Sequence, residues 1–295
     1  MPSLRQIRRR IRSIENTAKV TKAMEMIAAS KMRRAQASVL AARPYSEKIQ
    51  DVIAHLAAQP SEDSAVTQPL LESRPVSRIA VVHITPDRGL CGGLHSNLNR
   101  RGSQFILEHG GSSNNGNAPT SVSVISVGRK GRDFMVRYGQ DVKAVFINLG
   151  DRPELADTTA ISRMIVNEYS EGTVDEVYMA YAEFVTITVQ RPVIKRLLPI
   201  TPAELSAEER VGYIYEPNSQ VVLGDLLPRF VEMQVYHALL ELIASEQSAR
   251  MVAMRSATDS ANEMVSDLTL VANKVRQESI TNEVLDILGG VAALE

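Results

Sequence analysis

The amino-acid sequence predicts a mixed α+β fold, in which long terminal helices form an antiparallel coiled coil and an α/β domain lies between them in the chain. The 295 residues are 44% apolar but only 4% aromatic, with 11 Met and no Trp, which favours helices over an aromatic-rich β sandwich. Apolar residues near the N-terminus recur at steps of three and four, as in a coiled coil. The central segment instead alternates between strand and helix patterns.

The N-terminal helix is predicted from a seam of apolar or small side chains at helical spacing. The seam residues are Leu4, Ile7, Ile11, Ile14, Ala18, Thr21, Met24, Ile27, Ala28 and Met32. The first glycine is Gly89, and no residue between Pro2 and Pro44 breaks a helix. One helix of about 40 residues is therefore expected, or a longer one where Pro44 only kinks it.

The C-terminal helix is predicted over residues 225–288. This window contains one proline, Pro228, which we place in the first turn, and no glycine before Gly289 and Gly290. Average helices have about 11 residues, so a window of this length indicates a coiled coil.

The charges of the two terminal segments are opposite in sign. Residues 1–60 hold twelve Lys or Arg against four Asp or Glu, a net charge of +8, whereas residues 225–295 hold five against eleven, a net charge of -6. Small side chains on both segments would allow the helices to approach closely. We therefore expect residues near 5–55 and 225–285 to pair antiparallel within one chain, with the C-terminal helix extending beyond its partner.

The middle of the chain, from about residue 76 to 199, is predicted to be a βαβ series. The expected strands and helices are Arg78–Thr85, His95–His109, Ser121–Val127, Lys130–Tyr138, Val142–Ile147, Thr158–Ser170 and Glu176–Phe184. A fifth strand, around Thr188–Leu197, follows without room for a helix, so it is expected to be an antiparallel edge strand that begins at Arg191 and Pro192.

Two glycine-containing turns follow predicted strands, where a phosphate-binding loop would lie. Asp87–Gly93 (DRGLCGG) lacks both the Lys-Ser/Thr of a Walker A loop and the GxGxxG spacing, and Gly128–Gly131 (GRKG) is equally consistent with a tight turn. Tight turns are therefore favoured, with nucleotide binding as the alternative. Cys91 is interpreted as a packed thiol in preference to a nucleophile, because its neighbours are apolar or Gly and no histidine is expected near enough to activate it.

Other classes of site are disfavoured by residue content. A single cysteine cannot form an intramolecular disulfide, and the five histidines lack metal-ligand spacing, so neither a metal nor a cofactor is expected. The acidic pair Asp175-Glu176 is predicted to be solvated. No apolar run reaches the roughly 18 residues of a membrane span. The Arg-rich stretch Met1–Ile14 is similar to a transit peptide, but its apolar period continues past Glu15, so it is interpreted as mature sequence.

The basic N-terminal helix leaves nucleic-acid binding as an alternative. Its arginines could neutralise phosphates, but no aromatic side chain precedes Tyr45 that could stack on bases. A partner helix or an acidic protein surface is therefore favoured over nucleic acid.

Five separated motifs identify a family resemblance. They are Lys19–Ala35 (KVTKAMEMIAASKMRRA), Asp87–Gly93 (DRGLCGG), Tyr213–Pro217 (YIYEP), Ser245–Asp259 (SEQSARMVAMRSATD) and Asn273–Glu283 (NKVRQESITNE). In this order they resemble the gamma-subunit family of rotary (F-type) ATP synthases, and the resemblance covers nearly the whole chain. The sequence departs from the family pattern at Val291, where the family has Ala.

The resemblance implies a rotor shaft that has no catalytic site and a central domain that is Rossmann-like. Its implied partners are the alpha and beta subunits of the catalytic head, the epsilon subunit and the membrane rotor c-ring, without nucleic acid and without a membrane span of its own. The shaft would transmit torque between ring and head, coupling proton flow to ATP synthesis or hydrolysis. Its implied location is peripheral, on the cytoplasmic face of the bacterial plasma membrane.

The same resemblance implies contact residues and domain boundaries. Contacts with the head are implied for Lys22, Met24, Cys91, Arg250, Arg276, Gln277, Thr281 and Glu283, and contacts at the foot of the shaft for Tyr213 and Glu216. For Met24, burial in the helix seam is the alternative. The expected divisions are 1–59 for the N-terminal helix, 60–75 for a linker, 76–200 for the α/β domain, 201–218 for an acidic linker and foot segment, and 219–295 for the C-terminal helix.

Overall fold

The computed structural model describes residues 3–57, 68–110, 121–201 and 219–292 of the chain. Two compact units are present. The helical unit consists of Met1–Ala28 and Arg250–Glu295, and the sheet unit consists of Ala29–Ala249. The long terminal helices, α1 (Leu4–Ala57) and α5 (Ser219–Ala292), each contribute residues to both units. The mixed α+β fold predicted from the sequence is confirmed.

Within the helical unit, α1 and α5 run antiparallel. Thr21 Oγ1 lies 2.7 Å from Thr258 Oγ1, and Arg255 Nε donates a hydrogen bond to Glu25 Oε1 at 3.0 Å. Residue numbers therefore fall along α5 as they rise along α1. The predicted antiparallel pairing is confirmed for this unit.

The predicted seam is confirmed from Leu4 to Thr21 and is wrong at Ile27. Its positions up to Thr21 are buried or half-buried, whereas Ile27 is 55% exposed. After Thr21 the buried stripe steps by four to Glu25 and then by three to Ala28. Two consecutive steps of three, as predicted, would turn the stripe away from its partner, because one helical turn takes 3.6 residues.

The terminal helices are longer than their minimum predicted lengths. α1 continues through Pro44, and α5 begins at Ser219, so placing Pro228 in the first turn of α5 was wrong. Leu223 explains the start before residue 225, because it is buried in the core of the sheet unit and its burial stabilises an additional turn of helix.

The sheet unit contains five strands in the order β3-β2-β1-β4-β5. The strands are β1 (Arg78–Ile84), β2 (Ser121–Val127), β3 (Asp141–Phe146), β4 (Glu176–Phe184) and β5 (Gln190–Leu198). All neighbours are parallel except β5, which runs antiparallel to β4 at the edge, as predicted. The intervening helices are α2 (Leu94–His109), α3 (Arg129–Arg137) and α4 (Leu155–Ser170). The predicted βαβ series is confirmed.

The two faces of the sheet bury alternate strand residues. Ala80 and Val82 of β1 belong to the largest apolar cluster, which includes residues of α4 and α5. Ile79 and Val81 pack on the other face, against Phe105 of α2. Because β1 to β4 are parallel, their carboxyl ends and the turns that follow them lie along one edge of the sheet, which we call the carboxyl edge.

The amino ends of β1 and β4 are joined by Asp175, which was predicted to be solvated. This prediction is wrong, because Asp175 is 4% exposed and accepts hydrogen bonds from the backbone N–H groups of Ser77 and Arg78 at 3.0 and 2.8 Å. Burial alone would raise the pKa of Asp175, but these bonds and the Arg78 guanidinium outweigh burial and lower the pKa. The carboxylate is therefore a structural acceptor.

Candidate functional site

The carboxyl edge contains the DRGLCGG turn, which was the strongest candidate for a phosphate site. Its Asp87 side chain accepts two backbone hydrogen bonds, from the N–H of Arg129 and from the N–H of Asn148, each at 2.9 Å. The guanidinium of Arg129 also donates to Asn148 Oδ1 at 2.9 Å. Asp87 thereby holds together the turns that follow three neighbouring strands.

The start of α3 has no free amide for an anion. The N–H groups of Arg129, Lys130 and Gly131 donate to Asp87 Oδ1, to the Pro86 carbonyl and to Thr85 Oγ1, respectively. A phosphate bound there would have to displace all three acceptors, one of which is a carboxylate. The tight-turn interpretation therefore fits the geometry, and nucleotide binding at the GRKG turn does not.

The adjacent cleft is lined by charged side chains of both signs. It has a volume of about 290 Å³ and lies between the carboxyl ends of β1 to β3 and the α5 residues Leu239 and Leu242. The carboxylates of Asp87, Asp151 and Glu246 line it together with the guanidinium groups of Arg88 and Arg129, so its charge alone does not decide whether a phosphate group could bind.

The Cys91 side chain is 0% exposed, so the packed-thiol interpretation is confirmed. The sequence argument that no histidine stands near it was wrong, because His95, one helical turn further along, places Nδ1 3.8 Å from the sulfur. With its thiol buried, Cys91 cannot itself contact another protein in this conformation. Its neighbour Leu90 is 61% exposed, which makes Leu90 the accessible apolar residue of this turn.

In the helical unit, a charged cluster surrounds one seam position that would normally be apolar. Glu25 has a side chain only 7% exposed and accepts hydrogen bonds from Lys22 Nζ and Arg255 Nε, both at 3.0 Å. The bond from Lys22, followed by that from Arg255, lowers the pKa of Glu25 against the opposing effect of burial. Lys22 reaches this carboxylate while remaining about half exposed.

The outer face of α1 beside this cluster is apolar. Val20, Met26 and Ile27 are 59%, 60% and 55% exposed, and Met24 is half-buried. The sequence prediction assigned Ile27 to the seam and therefore missed this surface. The sequence did contain the information needed to find it. Continuing the alternation of steps of four and three from Thr21 places Glu25 in the buried seam and Ile27 on the exposed face.

The distal part of α5 extends past the start of α1. Counting along both helices from the Thr21–Thr258 contact, Leu4 lies opposite about residue 275, so the following residues of α5 have no opposing turn of α1. Residues 276–288 are all exposed, including Ile287 at 68% and Leu288 at 59%. We call residues 276–288 the distal segment, and it confirms the predicted extension of the C-terminal helix.

Four of the predicted contact residues lie on the distal segment and one near the start of the helical unit. The exposed distal residues are Arg276, Gln277, Thr281 and Glu283. Arg250, the first α5 residue of the helical unit, is half-buried. Tyr213 and Glu216, the predicted foot contacts, lie outside the described residues.

The described residues hold neither a metal-binding cluster nor a membrane-spanning helix. No cluster of three or more His, Cys, Asp or Glu side chains is arranged to hold a metal ion within residues 3–57, 68–110, 121–201 and 219–292. Over the same residues, no helix combines the length and the apolar content that crossing a membrane requires.

Comparison with known families and sequences identifies close relatives. A family model described as ATP synthase matches residues 3–294. The chain is 59% identical over 294 residues to a protein named ATP synthase gamma chain from Dehalococcoides mccartyi, with 100% of both chains covered. It is 52% identical over 295 residues to the ATP synthase gamma chain of Roseiflexus sp., covering 100% of this chain and 99% of the relative.

Solved structures give a more distant likeness. A chain of the Euglena gracilis mitochondrial ATP synthase (OSCP/F1/c-ring) matches with a TM-score of 0.66 at 19% identity, covering 99% of this chain and 94% of that one. A chain from the central stalk and c-ring of the Tetrahymena thermophila mitochondrial ATP synthase matches with a TM-score of 0.59 at 24% identity, covering 81% and 99%. At these identities the likeness supports the fold alone.

Proposed function

The chain belongs to the ATP synthase gamma family, and from this premise we propose that it acts as the central rotor shaft of a proton-translocating ATP synthase. In this role it carries torque between the membrane rotor c-ring and the catalytic head of alpha and beta subunits. Proton flow is thereby coupled to ATP synthesis or hydrolysis, and the chain's association with the membrane is through the complex.

The observation that carries the proposal is the distal segment of α5. A helix that extends beyond its partner with several large apolar side chains exposed has a surface that another protein would normally cover. Its polar residues are also exposed, so they are available for hydrogen bonds to surrounding subunits. A helix end that exposes both apolar and polar side chains in this way is suited to be the tip of a shaft that a ring of subunits surrounds.

The mechanism requires contacts that change as the shaft turns. A partner that performs no chemistry can bias the conformers of a catalytic subunit only by contacting them differently. Met24, together with the neighbouring apolar residues Val20 and Ile27, lies on one side of α1 and would touch only one part of a surrounding ring at a time, whereas Lys22 lies on the opposite side of the helix. A contact surface on one side of the helix would therefore let the shaft contact the surrounding subunits unequally, as the proposed mechanism requires.

The remaining head contacts are assigned on the same basis. We assign Arg250, Arg276, Gln277, Thr281 and Glu283 to contacts with the head. For the DRGLCGG turn, we assign the contact to Leu90 in place of the buried Cys91. Tyr213 and Glu216, with the epsilon subunit and the c-ring as partners, stay predictions because these residues lie outside the described ranges.

Catalysis is assigned to the beta subunits. The occupied amides at the start of α3 support this assignment, because they disfavour a nucleotide site at the GRKG turn. The functional divisions stay as predicted, with helices in 1–59 and 219–295, an α/β domain in 76–200, and connections in 60–75 and 201–218. The location is proposed to be the cytoplasmic face of the bacterial plasma membrane.

Native purification tests the proposal. An affinity-tagged full-length chain should be recovered with alpha and beta subunits in fixed stoichiometry, and a probe attached to it should rotate when the complex hydrolyses ATP. As the control, the same tag on an alpha subunit should recover this chain. Recovery of the chain alone, or a probe that stays still while ATP is hydrolysed, would contradict the proposal.

A further inference from the structure

A buried carboxylate lies where α5 packs against the antiparallel edge of the sheet. Ser245 Oγ donates to the Ala182 carbonyl at 3.1 Å, which seats α5 on β4. One turn earlier on α5, the Glu241 side chain is only 14% exposed. Its Oε2 atom is buried and has no hydrogen-bond partner among the residues that the structure describes. A buried carboxylate oxygen in this state is costly to keep ionised.

The groups that face Glu241 come from α5, β4 and β5. On α5 itself, His237 places Nδ1 3.7 Å from Glu241 Oε1. On the strands, Lys195 Nζ donates to Glu183 Oε1 at 2.9 Å and lies 5.5 Å from the centre of the Tyr181 ring. The positive charge of Lys195 is therefore already balanced by Glu183. An ionised Glu241 therefore adds a buried negative charge beside Glu183, which Lys195 offsets only in part.

These surroundings set the titration range of the carboxyl group. Burial raises the pKa of Glu241 to about 7, and the negative charge of Glu183 acts in the same direction. Lys195 and the backbone N–H of Phe184 act in the opposite direction and do not overcome burial. The carboxyl group therefore changes charge near neutral pH.

We propose that Glu241 and His237 bind one proton between them and that this proton fastens α5 to β4 and β5. With the proton bound, the junction is electrically neutral and the carboxyl group can donate a hydrogen bond. Once the proton is lost, a buried negative charge remains beside Glu183, and the packing of α5 on these strands loosens.

The direction of the pH effect follows from the raised pKa. The stabilisation is fully present below the ordinary carboxyl pKa of about 4.5 and is lost as the pH rises through about 7. Since α5 carries torque under the proposed function, the shaft would be seated more firmly below neutral pH than above it. That consequence rests on the proposed function, whereas proton binding itself does not.

Hydrogen exchange of the full-length chain tests the proposal. Exchange is measured at about pH 6 and about pH 8.5, with labelling times scaled for the intrinsic pH dependence of amide exchange. Peptides from 176–198 and 235–246 should exchange roughly tenfold faster at the higher pH after this correction, whereas peptides from 4–20 should not change. Equal corrected rates at both pH values would overturn the proposal without any variant.

Substitutions locate the proton. Glu241→Gln, which mimics the protonated carboxyl group, should keep these peptides protected at both pH values, and His237→Gln should shift the midpoint of the change. Glu278→Gln, an exposed control on the same helix, should behave like the wild type. Wild-type pH dependence in Glu241→Gln, or an unshifted midpoint in His237→Gln, would overturn the shared proton. Failure of the chain to assemble into an ATP synthase would contradict the proposed function and would leave this exchange result unaffected.

Discussion

The same helix, α5, has opposite surroundings in the two units. In the sheet unit, residues 242–249 are all buried, whereas in the helical unit residues 276–288 are all exposed. The difference is not one of residue type, since Leu242 and Ile243 are buried while Ile287 and Leu288 are exposed. It depends on what the rest of each unit places against the helix. The buried stretch supports the fold, and the exposed stretch is the surface that we propose to contact other subunits.

The two units are also stabilised differently. The sheet unit has a broad apolar core that joins the sheet to α1, α4 and α5. The helical unit has a narrow seam of mainly small or aliphatic side chains, interrupted by the Thr21–Thr258 contact and by the ionic cluster around Glu25. We expect core substitutions to matter most in the sheet unit and polar contacts to matter most in the helical unit.

The largest expected effect is an all-or-none crosslink that tests the helix pairing. Thr21→Cys combined with Thr258→Cys should form a disulfide within one chain on mild oxidation, because the two side chains already touch. Cys91 is buried and should not compete. A non-reducing gel would show a monomer of altered mobility.

The matched control for this crosslink combines Val20→Cys with Asp259→Cys, at two exposed neighbouring positions. It should remain reduced or form only links between chains. Exclusively intermolecular links in the Thr21/Thr258 variant would show that the pairing occurs between chains.

Next in size is the loss of a core side chain in the buried part of α5. Leu242→Ala should lower the free energy of unfolding by about 2–5 kcal/mol, since it leaves a cavity in the largest apolar cluster. Leu288→Ala, the same change on the exposed part of the helix, should alter it by no more than about 0.5 kcal/mol. Urea unfolding of the full chain measures both. Similar losses for the two variants would remove the distinction between the two stretches.

A smaller effect is expected from the ionic cluster of the helical unit. Glu25→Gln should cost about 1–2 kcal/mol at neutral pH, because it weakens two hydrogen bonds to charged donors that are themselves partly solvated. Because the pKa of Glu25 is lowered, its stabilising contribution is present above about pH 4.5 and is lost as the pH falls through the folded-state value.

The contribution of Glu25 is tested by measuring the unfolding of the full chain as a function of pH. The acid-induced loss of stability should be smaller in Glu25→Gln than in the wild type, and Glu278→Gln should match the wild type. A Glu25→Gln chain with the wild-type pH profile would show that the cluster contributes nothing to folding.

Much of this comparison could be predicted from sequence, because regular periods determine which face of an element is buried. The parallel strands and the antiparallel edge strand follow from such patterns, as does the extension of α5 beyond α1. Long-range contacts could not be predicted. The burial of Asp175 depends on amides at Ser77 and Arg78, and the seam after Thr21 depends on Arg255 of the other helix.

For the contact residues too, the sequence predicts the position in a helix but not which side chain of a turn is buried. The resemblance placed Arg276 and Glu283 on a helix face, and the structure leaves both exposed. It also implied a contact for Cys91, whose thiol the structure buries. The burial could not be predicted, because sequence position alone does not show which side chain of a tight turn points inward. The exposed apolar face at Val20 and Ile27 was missed, because apolar residues at helical spacing were all assigned to the seam.

The most direct test of the account removes two polar groups from the distal segment. Arg276→Ala combined with Glu283→Ala should change the free energy of unfolding of the full chain by less than about 0.5 kcal/mol, since both side chains are exposed. Coupled ATP synthesis, or assembly with the alpha and beta subunits, should fall severalfold. The control, Glu263→Ala with Lys274→Ala, removes the same charges from exposed α5 positions outside the distal segment and should have the smaller effect. A large loss of stability with full assembly and synthesis would contradict the account, because it would make the distal segment a structural surface.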